Sequence, residues 1–288
     1  MQQPVVHAFF ESQSFTYSYL VWDPLSKEAA VIDPVLDFDA ASGSTSTSSA
    51  EQILAKVKEH NLTVQWLLET HVHADHLSAA PFLKRQLGGR IAIGSRITEV
   101  QQLFAEVFNL KDLTTDGSDF DTLFADGEDF ILGTIRCSVV HTPGHTPACV
   151  SYCIGDAVFV GDTLFMPDYG SARCDFPGGD AATLYRSVQK LYQLPDQTRM
   201  FLCHDYKAPG REEFVCETTV GLQKQQNIHL KQDTSEQEFV AMRTARDKTL
   251  SMPKLILPSV QVNVRAGQFP AAEDNGTVYL KLPVNLFR

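Results

Sequence analysis

Residues 71–76, in Thr70-His71-Val72-His73-Ala74-Asp75-His76, place three imidazoles and one carboxylate within six positions. Each is a good donor to a first-row divalent metal. Side chains only two residues apart can turn toward one ion in a loop, but not on a helix. The stretch follows Val64-Gln65-Trp66-Leu67-Leu68-Glu69, which reads as a buried strand. An α/β protein carries its site there, just past the carboxyl end of a strand. Three further stretches end an expected strand with a ligand-type residue: His141 in His141-Thr142-Pro143-Gly144-His145-Thr146, Asp162 after Gly161, and His204 after Cys203. If these strands run the same way, the side chains converge at one edge. Any one of them alone could be an ordinary surface or turn residue. Asp162 could be a turn aspartate, and His145 could orient its loop and bind nothing. Together they read as a metal site. His7, His60 and His229 stand alone and are assigned no role. Neither GxGxxG nor a P-loop is present, so no nucleotide-phosphate cradle is indicated.

The 288 residues are 43% hydrophobic and 20% charged, enough apolar material for a large core. The net charge of −11, with no Lys/Arg run, argues against nucleic acid or an anionic membrane as a partner. Met1 to Phe10 lacks the basic and apolar regions of a signal peptide, and no stretch approaches a spanning helix. A cytoplasmic location is expected. The six cysteines form no C-x-x-C pair, so free thiols are expected.

Residues 5–10, 15–22 and 28–32 read as three opening strands, and 41–49 as a polar loop. Ser48 and Glu51 have capping-box spacing before a helix with Ile53, Leu54 and Val57 on one face. A helix over 78–87 closes at Gly88-Gly89, 90–93 is a strand, and apolar spacing predicts a helix over 96–108. Asp126-Gly127 marks a hairpin, and strands are expected at 134–141, 149–154, 157–160 and 199–203. Asp180 caps a helix; 211–226 and 235–250 are expected to be helical, the latter with a Ser235–Glu238 capping box. Beyond Pro253 strands and turns are expected, with Asn275-Gly276 turning a final hairpin. Leu255-Ile256-Leu257-Pro258 reads as core, and a homodimer is left open. Strands then helices, twice, suggests two mixed sheets face to face with helices outside. A catalytic domain over 1–230 and a C-terminal extension over 231–288, a helix plus a hairpin packed on the same body, are expected.

The ligand set resembles the signature of the metallo-β-lactamase superfamily, H-x-H-x-D-H followed by a later His, a bridging Asp and a last His. The resemblance covers about residues 5–210. It implies an α+β fold, the αββα sandwich of two mixed sheets flanked by helices. It also implies that His71, His73 and His141 can serve one metal position, and Asp75, His76 and His204 a second, with Asp162 able to bridge. Within the superfamily the chain looks most like the persulfide dioxygenases, with glyoxalase II as sister group. The likeness rests on His141 to Pro147 running on to Cys149 and Tyr152, on Arg173-Cys174-Asp175-Phe176 and on His204-Asp205-Tyr206-Lys207. The tail from Met242-Arg243-Thr244-Ala245-Arg246-Asp247 to the end resembles a segment of some bacterial members.

That likeness implies one Fe(II) per chain held by His71, His141 and Asp162, with positions left for O2 and a substrate sulfur. His73, Asp75, His76 and His204 then remain as a second position or as supports behind the first. The implied reaction is oxidation of glutathione persulfide by O2 to sulfite and glutathione, with Arg173 and Tyr206 near the glutathione. Two departures bear on thiol specificity: a longer segment from Thr163 to Ala172, and Cys174 where a threonine is usual. A dinuclear Zn(II) hydrolase of glyoxalase II or lactonase type is the alternative, since all its ligands are present. Against glyoxalase II, the tail does not read as a helical glutathione-binding domain. A non-catalytic scaffold has no need of so complete a ligand set.

Overall fold

The computed structural model describes residues 3–286. In chain order the elements are β1 (Val5–Glu11), β2 (Thr16–Trp22), β3 (Glu28–Ile32), β4 (Val35–Asp39), β5 (Ser44–Ser46), α1 (Ser48–His60), β6 (Thr63–Leu68), β7 (Leu77–Ser78), α2 (Ala80–Leu87), β8 (Arg90–Gly94), α3 (Ile97–Phe108), β9 (Thr122–Phe124), β10 (Asp129–Leu132), β11 (Ile135–His141), β12 (Val150–Ile154), β13 (Ala157–Phe159), α4 (Ala181–Leu191), β14 (Arg199–Phe201), β15 (Glu217–Thr219), α5 (Val220–Gln226), α6 (Glu236–Asp247) and α7 (Ile256–Asn263). Among the described residues no helix is long and apolar enough to cross a membrane.

Two six-stranded sheets form the centre, one ordered β1-β2-β3-β6-β8-β9 and the other β10-β11-β12-β13-β14-β15. Both are mixed. In the first, β3, β6, β8 and β9 run parallel; in the second, only β13 and β14 do. Side-chain alternation along a strand sorts residues between layers. Tyr19 and Val21 of β2, with Ala30 and Ile32 of β3, face the second sheet, where Phe159 and Phe201 meet them. Leu20, Trp22, Ala29 and Val31 face outward onto α1, α2, α3 and α7. On the far side, Val158 and Met200 pack on Leu184, Val188 and Leu191 of α4 and on Phe239 of α6. The result is the four-layered αββα sandwich.

The direction of the strands decides where chemistry can occur. β11 and β13 are each antiparallel to β12, and β14 is parallel to β13, so β11, β13 and β14 end at one edge. The 69–76 loop after β6 reaches the same edge, tied to the second sheet where the Val150 N–H donates to Thr70 O at 2.9 Å.

Several sequence expectations change. Ser48 is not a cap. Thr47 is the N-cap residue, and its hydroxyl donates to Glu51. Asp126-Gly127 does not turn a hairpin: β9 and β10 lie in different sheets, and the turn carries the chain across. Of 211–226 only α5 is helical, because Arg211 closes onto Asp205 and the chain pairs as β15 first. The polar 41–49 loop contains β5, paired with β4.

The largest change lies beyond Pro253. Ile256, Val260 and Val262 are buried on α7, not on strands. Each such side chain contributes about 1.5–3 kcal/mol by leaving water, which overrides the β preference of Val and Ile. The Asn275-Gly276 turn forms, with the Glu273 N–H donating to Thr277 O, but no ladder follows it. The extension is therefore two helices on opposite outer layers. Residues 248–255 cross from one to the other over the edge where the strands end.

Candidate metal centre

The strand ends bring His71, His145 and Asp162 together. One ligand atom from each lies within 4.8 Å of the others. His71 Nε2 and His145 Nε2 stand 3.9 and 3.7 Å from Asp162 Oδ2. On the other side of Asp162, His204 Nε2 is 3.3 Å from Oδ1 and also 3.3 Å from Asp75 Oδ2. His73, Asp75 and His76 form a second group with the same 4.8 Å limit.

His141 is not part of this cluster. It is still paired in the ladder, opposite Val150, so the pleat fixes its direction. Its Nε2 lies 3.0 Å from Phe124 O, facing the first sheet. The turn after it carries the chain onward, and His145 arrives in its place. The assignment of His141 to the metal is corrected on this geometry. The repeated His-Thr of His141-Thr142 and His145-Thr146 offered both candidates, and only the end of the strand pairing separates them.

The hydrogen bonds behind the imidazoles determine which nitrogens are free. Thr70 Oγ1 donates to Asp33 Oδ2 at 2.8 Å, so it accepts from His71 Nδ1–H at 3.0 Å. Arg173 O accepts from His145 Nδ1–H at 2.9 Å. Asp33 Oδ1 accepts from His73 Nε2–H at 2.9 Å, and Phe15 O from His204 Nδ1–H at 3.3 Å. For His71 and His145 the bond leaves Nε2 with a lone pair directed at the cluster. Burial would lower His73 and His204, but Asp33 for the one and Asp162 with Asp75 for the other outweigh it and raise both well above the ordinary histidine value. His71 Nε2, His73 Nδ1, His76 Nε2, His204 Nε2 and Asp162 Oδ1 are all buried without a hydrogen-bond partner. So many unpartnered buried atoms in one place would be costly in a folded protein unless something satisfied them. All are metal-donor atoms, and a divalent ion fits the set.

Burial, reinforced by the neighbouring His73, holds His71 and His76 below the ordinary histidine pKa, in the neutral form that ligates. Burial alone would raise the Asp75 carboxyl, but His204 and His76 outweigh it and hold it well below the usual range. Asp33 is likewise ionised: His73 and the Thr70 bonds overcome its burial. Asp33 and Thr70 are the supports that sequence reading missed. Asp33 was legible only as the residue ending a strand. Gly161, at φ 51°, belongs to the same arrangement, since a Cβ there would lie 2.5 Å from Thr70 Oγ1.

A cavity of about 830 Å³ opens over the cluster. Phe15, Phe165, Tyr169 and Tyr206 form its aromatic side, with Tyr206 stacked on His204 at 5.6 Å between centroids. Arg173 lies in the wall with its guanidinium engaged. Nε and Nη2 donate to the Asp175 carboxylate at 2.6 and 2.7 Å, and Nη1 donates to Ser251 O at 2.6 Å. Its first role is to tie the crossing segment down. That segment and α6 add Arg246 and Lys254 to the wall, neither with an ion pair among the described residues.

The 170–174 loop is held from behind by His229, whose Nδ1 accepts from the Ser171 N–H at 3.0 Å. Burial, helped by Arg243 and Arg246, pushes His229 down to about 4. The stability this provides is complete above the unfolded value of about 6.5 and is lost as pH falls through about 4. Denaturant midpoints are expected to drop over that window, and His229→Gln is expected to flatten the drop. A pH profile unchanged by His229→Gln would refute the assignment.

A sequence model of the metallo-β-lactamase superfamily matches residues 12–204. A curated relative from Burkholderia pseudomallei, named a probable metallo-hydrolase, is 53% identical over 97% of this chain and 99% of its own. The mitochondrial persulfide dioxygenase ETHE1 of Bos taurus is 30% identical over 91% of this chain and 89% of its own. The crystal structure of ETHE1 from Myxococcus xanthus superposes with a TM-score of 0.73 at 30% identity, covering 92% of this chain and 100% of that one.

Proposed function

The chain belongs to the metallo-β-lactamase superfamily, a superfamily of metal-dependent enzymes, and from that premise we propose that it is an iron-dependent persulfide dioxygenase. It converts glutathione persulfide, O2 and water to glutathione and sulfite. The observation that carries the reading is the His71, His145 and Asp162 cluster, of which His145 and Asp162 line the cavity. Two imidazoles and one carboxylate on one face suit non-haem Fe(II) and leave positions for two further ligands. Bound ferrous iron supplies the redox chemistry with O2 that Zn(II) lacks.

The chain's own residues do the rest. Thr70 and the Arg173 carbonyl fix the tautomers of His71 and His145. Phe15, Phe165 and Tyr206 shield the sulfur from water. Tyr206, at the rim, directs its hydroxyl to the thiol's peptide portion, and Arg246 and Lys254 meet the glutathione carboxylates. Replacing Arg246 or Lys254 with Gln should raise KM for glutathione persulfide about two- to fivefold each, the worth of an exposed ion pair, with kcat unchanged. Cysteamine persulfide, which has no carboxylate, should respond to neither. Equal effects on both substrates would remove the two cations from recognition.

A second reading is a dinuclear zinc hydrolase, favoured by the Asp75, His76 and His204 donors across Asp162 and by the name of the Burkholderia relative. Two metal ions would activate a hydroxide against a thioester or lactone carbonyl. Oxygen uptake by the iron-loaded protein with glutathione persulfide separates the two. No uptake, together with thioester or lactone hydrolysis by the zinc-loaded protein, overturns the dioxygenase reading.

A further inference from the structure

The two helices of the C-terminal extension each hold a loop that carries candidate ligands. On α7, Asn263 is buried beneath the 71–76 loop. Its Nδ2 donates to His73 O at 2.9 Å and to His76 O at 2.8 Å, and its Oδ1 accepts from the Ser78 N–H at 2.8 Å. One side chain thus fixes the backbone on both sides of Asp75, from 187 residues away in sequence in the case of His76.

On α6, Asp247 Oδ2 accepts from the Cys174 N–H at 2.9 Å. Its Oδ1 accepts from Arg243 Nε at 2.8 Å, and Arg243 Nη1 donates to Ser171 O at 3.0 Å. This buried pair encloses Arg173, whose carbonyl orients His145. The bonds of α7 and of α6 act on different ligands from opposite outer layers of the sandwich.

We infer that Asn263 and Asp247 are positioning residues for the metal centre, so that the extension is part of the site's frame. Neither residue touches the metal. Each holds a loop that aims ligands, beside bonds such as those that Asp33 and Val150 make to the 70–73 stretch from the sheets. The inference applies whichever metal is bound and whichever reaction is catalysed.

Asn263→Asp keeps the acceptor for Ser78 and removes both donors to the ligand loop; Asp247→Ala removes the hold on Cys174. Both should bind Co(II) on the order of 10–100-fold more weakly, the usual cost of removing a partner behind a ligand. Competition with a chelator measures this, and a shift in the visible Co(II) spectrum should accompany the loss. Val260→Ala in α7 and Phe239→Leu in α6 remove packing from the same helices and should leave both readouts unchanged. In the unaltered chain, Co(II) should slow amide exchange across α7, because the coupling is reciprocal. That measurement stands if a variant fails to fold. Parental affinity in Asn263→Asp, equal losses in the packing controls, or exchange in α7 indifferent to metal would each overturn the inference.

Discussion

His145→Ala is expected to yield folded protein with its principal metal position lost and no measurable oxygen uptake with glutathione persulfide, whereas His141→Ala keeps both. His145 Nε2 faces Asp162, and its Nδ1 is bonded to Arg173 O, so the free lone pair lies inside the cluster. Removing it should cost more metal affinity than the roughly 10–100-fold lost with a supporting hydrogen bond. His141 Nε2 lies against Phe124 O. Its loss leaves that carbonyl with the Ser95 N–H at 2.8 Å and should cost about 0.5–1.5 kcal/mol of stability, the worth of one hydrogen bond, with metal content unchanged. Metal per chain by atomic emission, with urea unfolding on the same samples, decides it. Metal retained in His145→Ala and lost in His141→Ala would return His141 to the site.

That pair of variants also marks where the sequence stopped being readable. Strand-end placement brings His71, Asp162 and His204 to one edge, because each lies past the end of β6, β13 or β14. It failed at His141, because β11 runs one residue into the motif and the pleat aims that side chain at the first sheet. A ladder's end is set by the partner strand, which one strand's own residues do not specify. The sandwich itself was legible, since period-two burial in β2 and β3 sorts Tyr19 from Leu20 and Ala30 from Val31. The helix α7 was not. Its branched residues favour strands, and only the depth of the site below explains Asn263 and the burial around it. Arg173 shows a different limit. Sequence placed it near the substrate, and it lines the cavity, yet Asp175 and Ser251 engage its guanidinium.

Asp33→Ala is expected to be strongly destabilising. Asp33 accepts from His73 Nε2, from the Thr70 N–H at 2.7 Å and from the Thr70 hydroxyl, and it is buried. Truncation leaves those donors unpaired, and breaking such a buried pair costs about 3–5 kcal/mol. The residue also sits at φ 49°, a conformation that Asp and Asn tolerate and that costs Ala a further ~1–2 kcal/mol. Asp33→Asn separates the two contributions: it keeps the backbone preference and loses the charge that holds His73. Its stability should fall between the parent and Asp33→Ala. Its metal affinity should fall on the order of 10–100-fold, because both Thr70, which orients His71, and His73 lose their carboxylate anchor. Urea unfolding of metal-free protein measures the first quantity and chelator competition the second. An Asp33→Ala variant within about 1 kcal/mol of the parent chain, well below the cost of breaking a buried pair, would mean that the loop is held by its other bonds, with Asn263 foremost among them.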